Sequence, residues 1–134
     1  MSVTTKSYCH IYGQFGQTAD RFSVELDHLF NLGLVCDTDF SFEQAAQHQC
    51  SLQKMQQRGG LVAPNIYPVD FDPACPDPNW WKYSEAECVR LLRIAQERFA
   101  GLGFGPMVAV NTYTPGNGFV AACRQLGIRY ILGF

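Results

Sequence analysis

The sequence is poor in charge, and the charge that it has is scattered. Only 16% of its 134 residues are charged, and the formal net charge is −2. No run of lysines and arginines occurs, so the chain offers no basic surface of the kind that binds nucleic acid or an anionic membrane. No apolar stretch approaches the roughly 18 residues that a membrane-spanning helix needs. We therefore expect neither nucleic acid nor a membrane as a partner.

Export signals and metal motifs are also missing. The start, MSVTTKSYCHIYGQ, has no basic segment followed by an apolar one, so it does not read as a signal peptide and predicts a cytoplasmic protein. The six cysteines form no C-x-x-C motif, and the three histidines form no H-x-x-x-H pair. We expect reduced thiols, no disulfide, no metal and no cofactor.

Short apolar runs alternate with helical stripes along the whole chain. The length and the 47% apolar content suit one domain over residues 1–134. Alternation of strands and helices implies right-handed crossovers and a parallel sheet, so the predicted fold class is α/β. The predicted strands are Ser7–Tyr12, Leu61–Tyr67, Met107–Asn111 and Arg129–Leu132.

Helix caps and glycines set the predicted helix ends. The helices cover about 19–32, 42–58, 85–101 and 119–126. Segment LVCDTDF is ambiguous: it holds at most a very short strand before a turn at Asp37, Thr38 and Asp39. TPGNG has neither Walker nor dinucleotide spacing. We interpret it as a turn in which Asn117 caps the last helix, and the alternative is that the amides at the start of that helix bind an anion.

The last apolar run, IRYILGF, reads as a buried strand with nothing after it. It is either the edge of an open α/β sheet or part of the N-terminal portion of a longer (β/α) barrel. We favour the barrel because apolar edge strands are usually protected. The same reasoning predicts a homodimer or a missing C-terminal part.

Polar and aromatic residues gather where the predicted strands end. Ligands of parallel α/β folds bind at the carboxyl ends of strands. The residues that we expect to bind a substrate there are Tyr12, Asn65, Tyr67, Asn111, Tyr113 and Asn117. Trp80 and Trp81 follow in a long loop and either stack on sugar rings or pin that loop to the core. Asp70, Asp72 and His10 are the candidate catalytic groups, although an aspartate pair is also common in solvated turns.

Two segments resemble the polysaccharide deacetylase superfamily of carbohydrate-active (β/α) barrels. They are QKMQQRGGLVAPNIYP and VNTYTPGNGFVAACRQLGIRYILGF, and the likeness spans roughly residues 41–134. The resemblance implies a barrel with a rim that faces carbohydrate. Metal-dependent members carry paired aspartates after the first strand and two histidines after the second. The corresponding segments here read CHIYGQ and APNIYPVD, so the usual metal triad is absent.

Three functions stay open at this point. The chain is a carbohydrate-active enzyme of deacetylase or glycoside hydrolase type, a non-catalytic domain that binds a sugar or another polar small molecule, or an inactive fragment. A glycosidase needs two carboxyl groups flanking one bond, usually with one raised pKa. The loop acids that can supply them are Asp37, Asp39, Asp70, Asp72 and Asp77.

Overall fold

The computed structural model describes residues 8–11, 35–112 and 114–132, with the backbone alone at 8–11, 35–40, 43, 44, 51 and 55. Its strands are β1 (Tyr8–Ile11), β2 (Val35–Phe40), β3 (Leu61–Pro64), β4 (Ala109–Asn111) and β5 (Tyr130–Leu132). Its α-helices are α1 (Phe42–Gln47), α2 (Gln49–Gln57), α3 (Glu85–Gly101) and α4 (Gly116–Gln125). Short 3-10 helices cover Pro68–Asp70 and Trp80–Lys82.

Every strand pairing in these ranges is parallel, which confirms the predicted α/β class with a parallel sheet. One sheet has the order β1-β2-β3, and β4 pairs with β5. A single parallel bridge between Asn65 and Asn111 links the end of β3 to the end of β4. Ile66 N also donates to Asn111 O at 3.1 Å. The strands therefore lie side by side in the order of the sequence.

Strand β2 corrects the prediction for LVCDTDF. The predicted turn at Asp37, Thr38 and Asp39 is wrong, because all three residues lie inside a six-residue strand. β2 is paired on both sides, with β1 and with β3. Ladder hydrogen bonds from two neighbours outweigh the local preference of aspartate for turns.

Two further boundaries differ from the prediction. The helix expected over 42–58 is divided into α1 and α2, with the buried His48 between them. β3 ends at Pro64 rather than at Tyr67. A proline has no N–H to donate to a neighbouring strand, so the pairing with β2 ends at Pro64. The next residue, Asn65, pairs instead with Asn111 of β4.

Helix α3 begins where the sequence predicts. Ser84 Oγ accepts a hydrogen bond from Glu87 N at 3.2 Å. The Glu87 carboxylate accepts from Arg90 at 3.0 Å. The buried face of the helix includes Leu91, Leu92 and Phe99. These side chains belong to one apolar cluster with Val62 of β3, Val110 of β4 and Phe119 of α4.

Helix α4 begins earlier than predicted. Pro115 is the residue before its first turn, and Gly116 rather than Phe119 is its first helical residue. Asn117 is exposed in that first turn, so its predicted role as the cap is wrong. Gly127 has a positive φ of 76° and follows the helix end, as predicted. Within the described ranges, no helix is long and apolar enough to cross a membrane.

Candidate functional site

Two asparagines meet where β3 and β4 end. Asn65 comes directly after β3, Asn111 is the last residue of β4, and the two form a parallel bridge. The Asn111 side chain is 0% exposed, and neither its Oδ1 nor its Nδ2 has a hydrogen-bond partner. Asn65 Oδ1 is likewise buried without a partner. Three buried polar atoms without a hydrogen-bond partner thus lie on two bridged residues at the carboxyl ends of β3 and β4.

Such atoms are rare, because burying an unpaired amide costs about 1–3 kcal/mol. Buried polar groups in native proteins nearly always have a partner, which is often an ordered water or a ligand. A carboxamide can donate and accept at once. The Asn65–Asn111 pair can therefore hold a group that offers both a hydroxyl or amide donor and an oxygen acceptor.

The two tryptophans occupy different environments. Trp80 is 0% exposed, and its Nε1 donates to Ile66 O at 3.1 Å. This placement fits the interpretation that Trp80 pins the loop to the core. Trp81 is 58% exposed, with Lys82 Nζ 5.3 Å from its ring centroid. Only Trp81 of this pair presents an aromatic face to a ligand.

Trp81 is also held near the strand ends through its backbone. Its N–H donates to Thr114 O at 3.3 Å, three residues after Asn111. An added Cβ at Gly116 would lie 2.5 Å from Trp81 Cβ. The loop that carries Trp81 therefore packs directly on the β4–α4 turn.

Asp70 and Asp72 are engaged in organising their own loop. Asp70 Oδ2 accepts from Tyr67 N at 3.1 Å, and Asp70 O accepts from Arg98 at 2.6 Å. Asp72 Oδ1 accepts from Ala74 N at 2.9 Å. Asp72 Oδ2 forms an ion pair with Arg90 at 2.9 Å. Both aspartates thus lie against exposed arginines of α3.

The electrostatics of Asp72 and Asp77 do not suit a proton donor. The Ala74 amide and the Arg90 guanidinium hold the pKa of Asp72 below its ordinary value. Lys82 and Asn79 do the same for the pKa of Asp77. A general acid near neutral pH needs a raised pKa instead. The contacts favour a structural role for these carboxylates.

The pH dependence of stability tests this role. In the folded chain the pKa of Asp72 lies below its ordinary value of 3.8, so the unfolded state binds more protons on acidification. The stabilisation is present above pH 3.8 and is lost as the pH falls through the lower folded pKa. We expect Asp72→Asn to destabilise at pH 7 and to flatten the acid-induced loss, measured by urea unfolding from pH 7 to about pH 2. An unchanged pH profile would contradict the ion pair.

The N-terminal candidates are placed by backbone register. His10 of β1 is the register partner of Asp37 of β2. Tyr12 and Tyr113 lie outside the described residues. The alignment of His10 with an aspartate is a feature that sequence reasoning missed, because it assigned Asp37 and Asp39 to a turn.

The described thiols are free, and most are buried. Cys75, Cys88 and Cys123 are buried, whereas Cys50 is exposed. Burial raises the pKa of Cys88 to about 11 and that of Cys123 to about 12, so both are protonated and unreactive at neutral pH. From Ser41 onwards, the described side chains include no group of three or more His, Cys, Asp or Glu placed to hold a metal ion.

Comparisons with known proteins show a likeness in fold. No family model matches the sequence, and no curated protein matches it. Among solved structures, a family 4 carbohydrate esterase from Streptomyces lividans in complex with acetate is similar, with a TM-score of 0.61 and 18% sequence identity. The match covers 95% of this chain and 60% of that chain. At this identity the likeness shows a shared fold.

Proposed function

We propose that the chain is part of a deacetylase-like, carbohydrate-active (β/α) barrel, and that the carboxyl edge of its sheet binds a carbohydrate or a similar polar small molecule. The single observation that carries the binding role is the buried, unpartnered pair of Asn65 and Asn111. Parallel strands in sequence order and the likeness to a carbohydrate esterase support the barrel. Ligands of parallel α/β folds bind at this edge.

The chemistry of the edge suits a sugar. Hydroxyl groups donate and accept hydrogen bonds, which matches the two carboxamides. The apolar face of a sugar ring packs on an exposed aromatic, and Trp81 offers one beside the β4–α4 turn. A small number of convergent polar groups beside an aromatic side chain is typical of sites that bind small molecules.

The contacts of Asp70 and Asp72 do not favour a catalytic role for them, so a binding function is better supported than hydrolysis by these two residues. Both carboxylates already accept backbone hydrogen bonds within their loop, and Asp72 is neutralised by Arg90. Hydrolysis of a carbohydrate ester is the second candidate, supported by the fold likeness to an esterase. It would need a group such as His10 in place of the loop acids.

Substitution of Asn111 separates its binding role from its structural role. Asn111→Leu removes two unpartnered buried atoms at similar volume, so we expect the free protein to gain about 1 kcal/mol of stability. The same change removes the hydrogen-bonding groups, so we expect at least a tenfold loss of oligosaccharide affinity. Stability is measured by urea unfolding. Affinity is measured by NMR titration with chitooligosaccharides and xylooligosaccharides.

Gln125→Ala is the control, because it also removes a carboxamide and Gln125 is exposed at the last residue of α4. We expect it to leave stability and the oligosaccharide titration nearly unchanged. If neither oligosaccharide series shifts the NMR signals of the wild-type chain, the proposed carbohydrate binding is wrong. Release of acetate from acetylated oligosaccharides, followed in parallel, distinguishes an esterase from a binding domain.

A further inference from the structure

The three buried atoms at the ends of β3 and β4 differ in the partner that each one needs. Within the described chain, Asn65 Oδ1 and Asn111 Oδ1 are acceptors without a donor. Asn111 Nδ2 is a donor without an acceptor. Rotation of the Asn111 carboxamide exchanges its two atoms but leaves this count unchanged. A ligand that satisfies all three atoms must therefore bring two donors and at least one acceptor.

The two carboxamides lie side by side on one face of the strands. Asn65 and Asn111 form a parallel bridge, and bridged residues of neighbouring strands lie about 4.8 Å apart and share a face. Val110, the residue before Asn111, belongs to the apolar cluster with the helices. Because side chains alternate along a strand, the asparagines lie on the face opposite to that cluster.

Only small side chains precede the asparagines on this face. Ala63 and Ala109 stand two residues before Asn65 and Asn111, so they share their face. Both alanines are buried, yet neither belongs to the apolar cluster with the helices. A methyl group supplies no hydrogen-bonding atom and takes little space. The alanines therefore leave the three amide atoms to a ligand.

Two hydroxyl groups on neighbouring carbon atoms meet this requirement. Each hydroxyl donates one hydrogen bond and can accept others, so the two together can pair with both carboxamide oxygens and with Nδ2. We propose that the pair of Asn65 and Asn111 selects sugars with two adjacent free hydroxyl groups over sugars in which one of the two is acetylated. This inference rests on the proposed carbohydrate binding, and it names the feature of the sugar that is recognised.

Acetylation removes one of the two donors that the site requires. An ester has oxygen acceptors and no O–H, so one carboxamide oxygen would stay buried and unpaired. A site built to bind a hydroxyl group rejects an analogue that lacks it, because its own polar atoms are then left without a partner. The same penalty applies to a deoxy sugar, which lacks the hydroxyl but adds no bulk.

A matched set of ligands tests the proposal on the wild-type chain. Xylotriose carries adjacent hydroxyl groups at C2 and C3 of its sugar rings. Its 2-O-acetyl, 2-deoxy and 3-deoxy derivatives each remove one donor per ring. We expect each derivative to bind about tenfold more weakly or worse, measured by NMR titration. The deoxy derivatives show whether the loss comes from the missing donor or from the bulk of the acetyl group.

Asn65→Leu tests which atoms impose the penalty. It removes one of the two acceptors, so the tenfold penalty for one of the two deoxy positions should fall to about threefold or less, while the other persists. Gln125→Ala is the control, and it should keep both penalties because Gln125 is exposed at the end of α4. An Asn65→Leu variant that folds and keeps both penalties in full would contradict the proposal.

The wild-type titrations separate this inference from the proposed function. Equal affinity for xylotriose and both deoxy derivatives would overturn the hydroxyl selection and leave carbohydrate binding intact. Binding of chitooligosaccharides alone would do the same, because their internal rings carry an acetamido group at C2. If neither oligosaccharide series binds, the carbohydrate function and the hydroxyl selection are both wrong.

Discussion

Replacing Trp80 with alanine should lower the free energy of unfolding by about 3–5 kcal/mol, the usual loss for a buried large aromatic. Trp80 is 0% exposed, and its ring lies 4.7 Å from that of Phe119. Its Nε1 donates to Ile66 O. The substitution opens a cavity between the loop and α4 and leaves that carbonyl without its donor. Urea unfolding followed by circular dichroism measures the loss.

Trp81→Ala is the matched control for this change. The neighbouring side chain is 58% exposed, so its removal should change stability by less than about 0.5 kcal/mol. Trp80→Phe is the intermediate variant, because it keeps an aromatic ring but leaves Ile66 O unpaired. Equal losses from Trp80→Ala and Trp81→Ala would contradict the assignment of Trp80 to the core. If Trp81 stacks on a sugar, Trp81→Ala should weaken oligosaccharide binding without destabilising the chain.

The elements that sequence reasoning predicted well are those set by local signals. Ser84 caps α3, and the apolar spacing of that helix matches its buried face. The parallel order followed from alternation of strands and helices. These features depend on residues only a few positions apart, where propensity and periodicity carry most of the information.

The features that were missed depend on contacts distant in sequence. Asp37 and Asp39 are turn formers in isolation, and only pairing with β1 and β3 places them in a strand. Asp72 is bound by Arg90, and Asp70 by Arg98, across the length of a loop. Hydrophobic periodicity also does not show which of the adjacent tryptophans, Trp80 or Trp81, is buried.

The sequence predicted which residues lie at the candidate site but not how their side chains are buried. Asn65 and Asn111 were found because the carboxyl ends of parallel strands can be located from the pattern of apolar runs. The burial of their amide atoms depends on how the two strand ends meet, which the pattern does not contain. Asn117 was predicted to cap α4 because the apolar residues of that helix begin at Phe119. The helix starts three residues earlier, at Gly116, so Asn117 lies inside its first turn.

Replacing Gly116 with alanine should be the second most damaging change, with a loss of about 2–5 kcal/mol in the free energy of unfolding. The φ of Gly116 is +69°, and a non-glycine residue there costs about 1–2 kcal/mol. An added Cβ would lie 2.5 Å from Trp81 Cβ and 2.6 Å from Trp81 Cα. Because one of these atoms is backbone, the loop must move, and overpacking of this kind costs about 1–3 kcal/mol. Urea unfolding again measures the loss.

Gly127→Ala isolates the conformational part of this effect. Gly127 has a φ of +76°, and an added Cβ there would meet nothing within 4 Å. We expect Gly127→Ala to lose about 1–2 kcal/mol. The excess loss in Gly116→Ala then measures the close approach of the Trp81 backbone to the β4–α4 turn. Equal losses in the two variants would show that the loop can withdraw from α4 at little cost. Trp81 would then not be held against the β4–α4 turn, and the proposed sugar site would lack its aromatic wall.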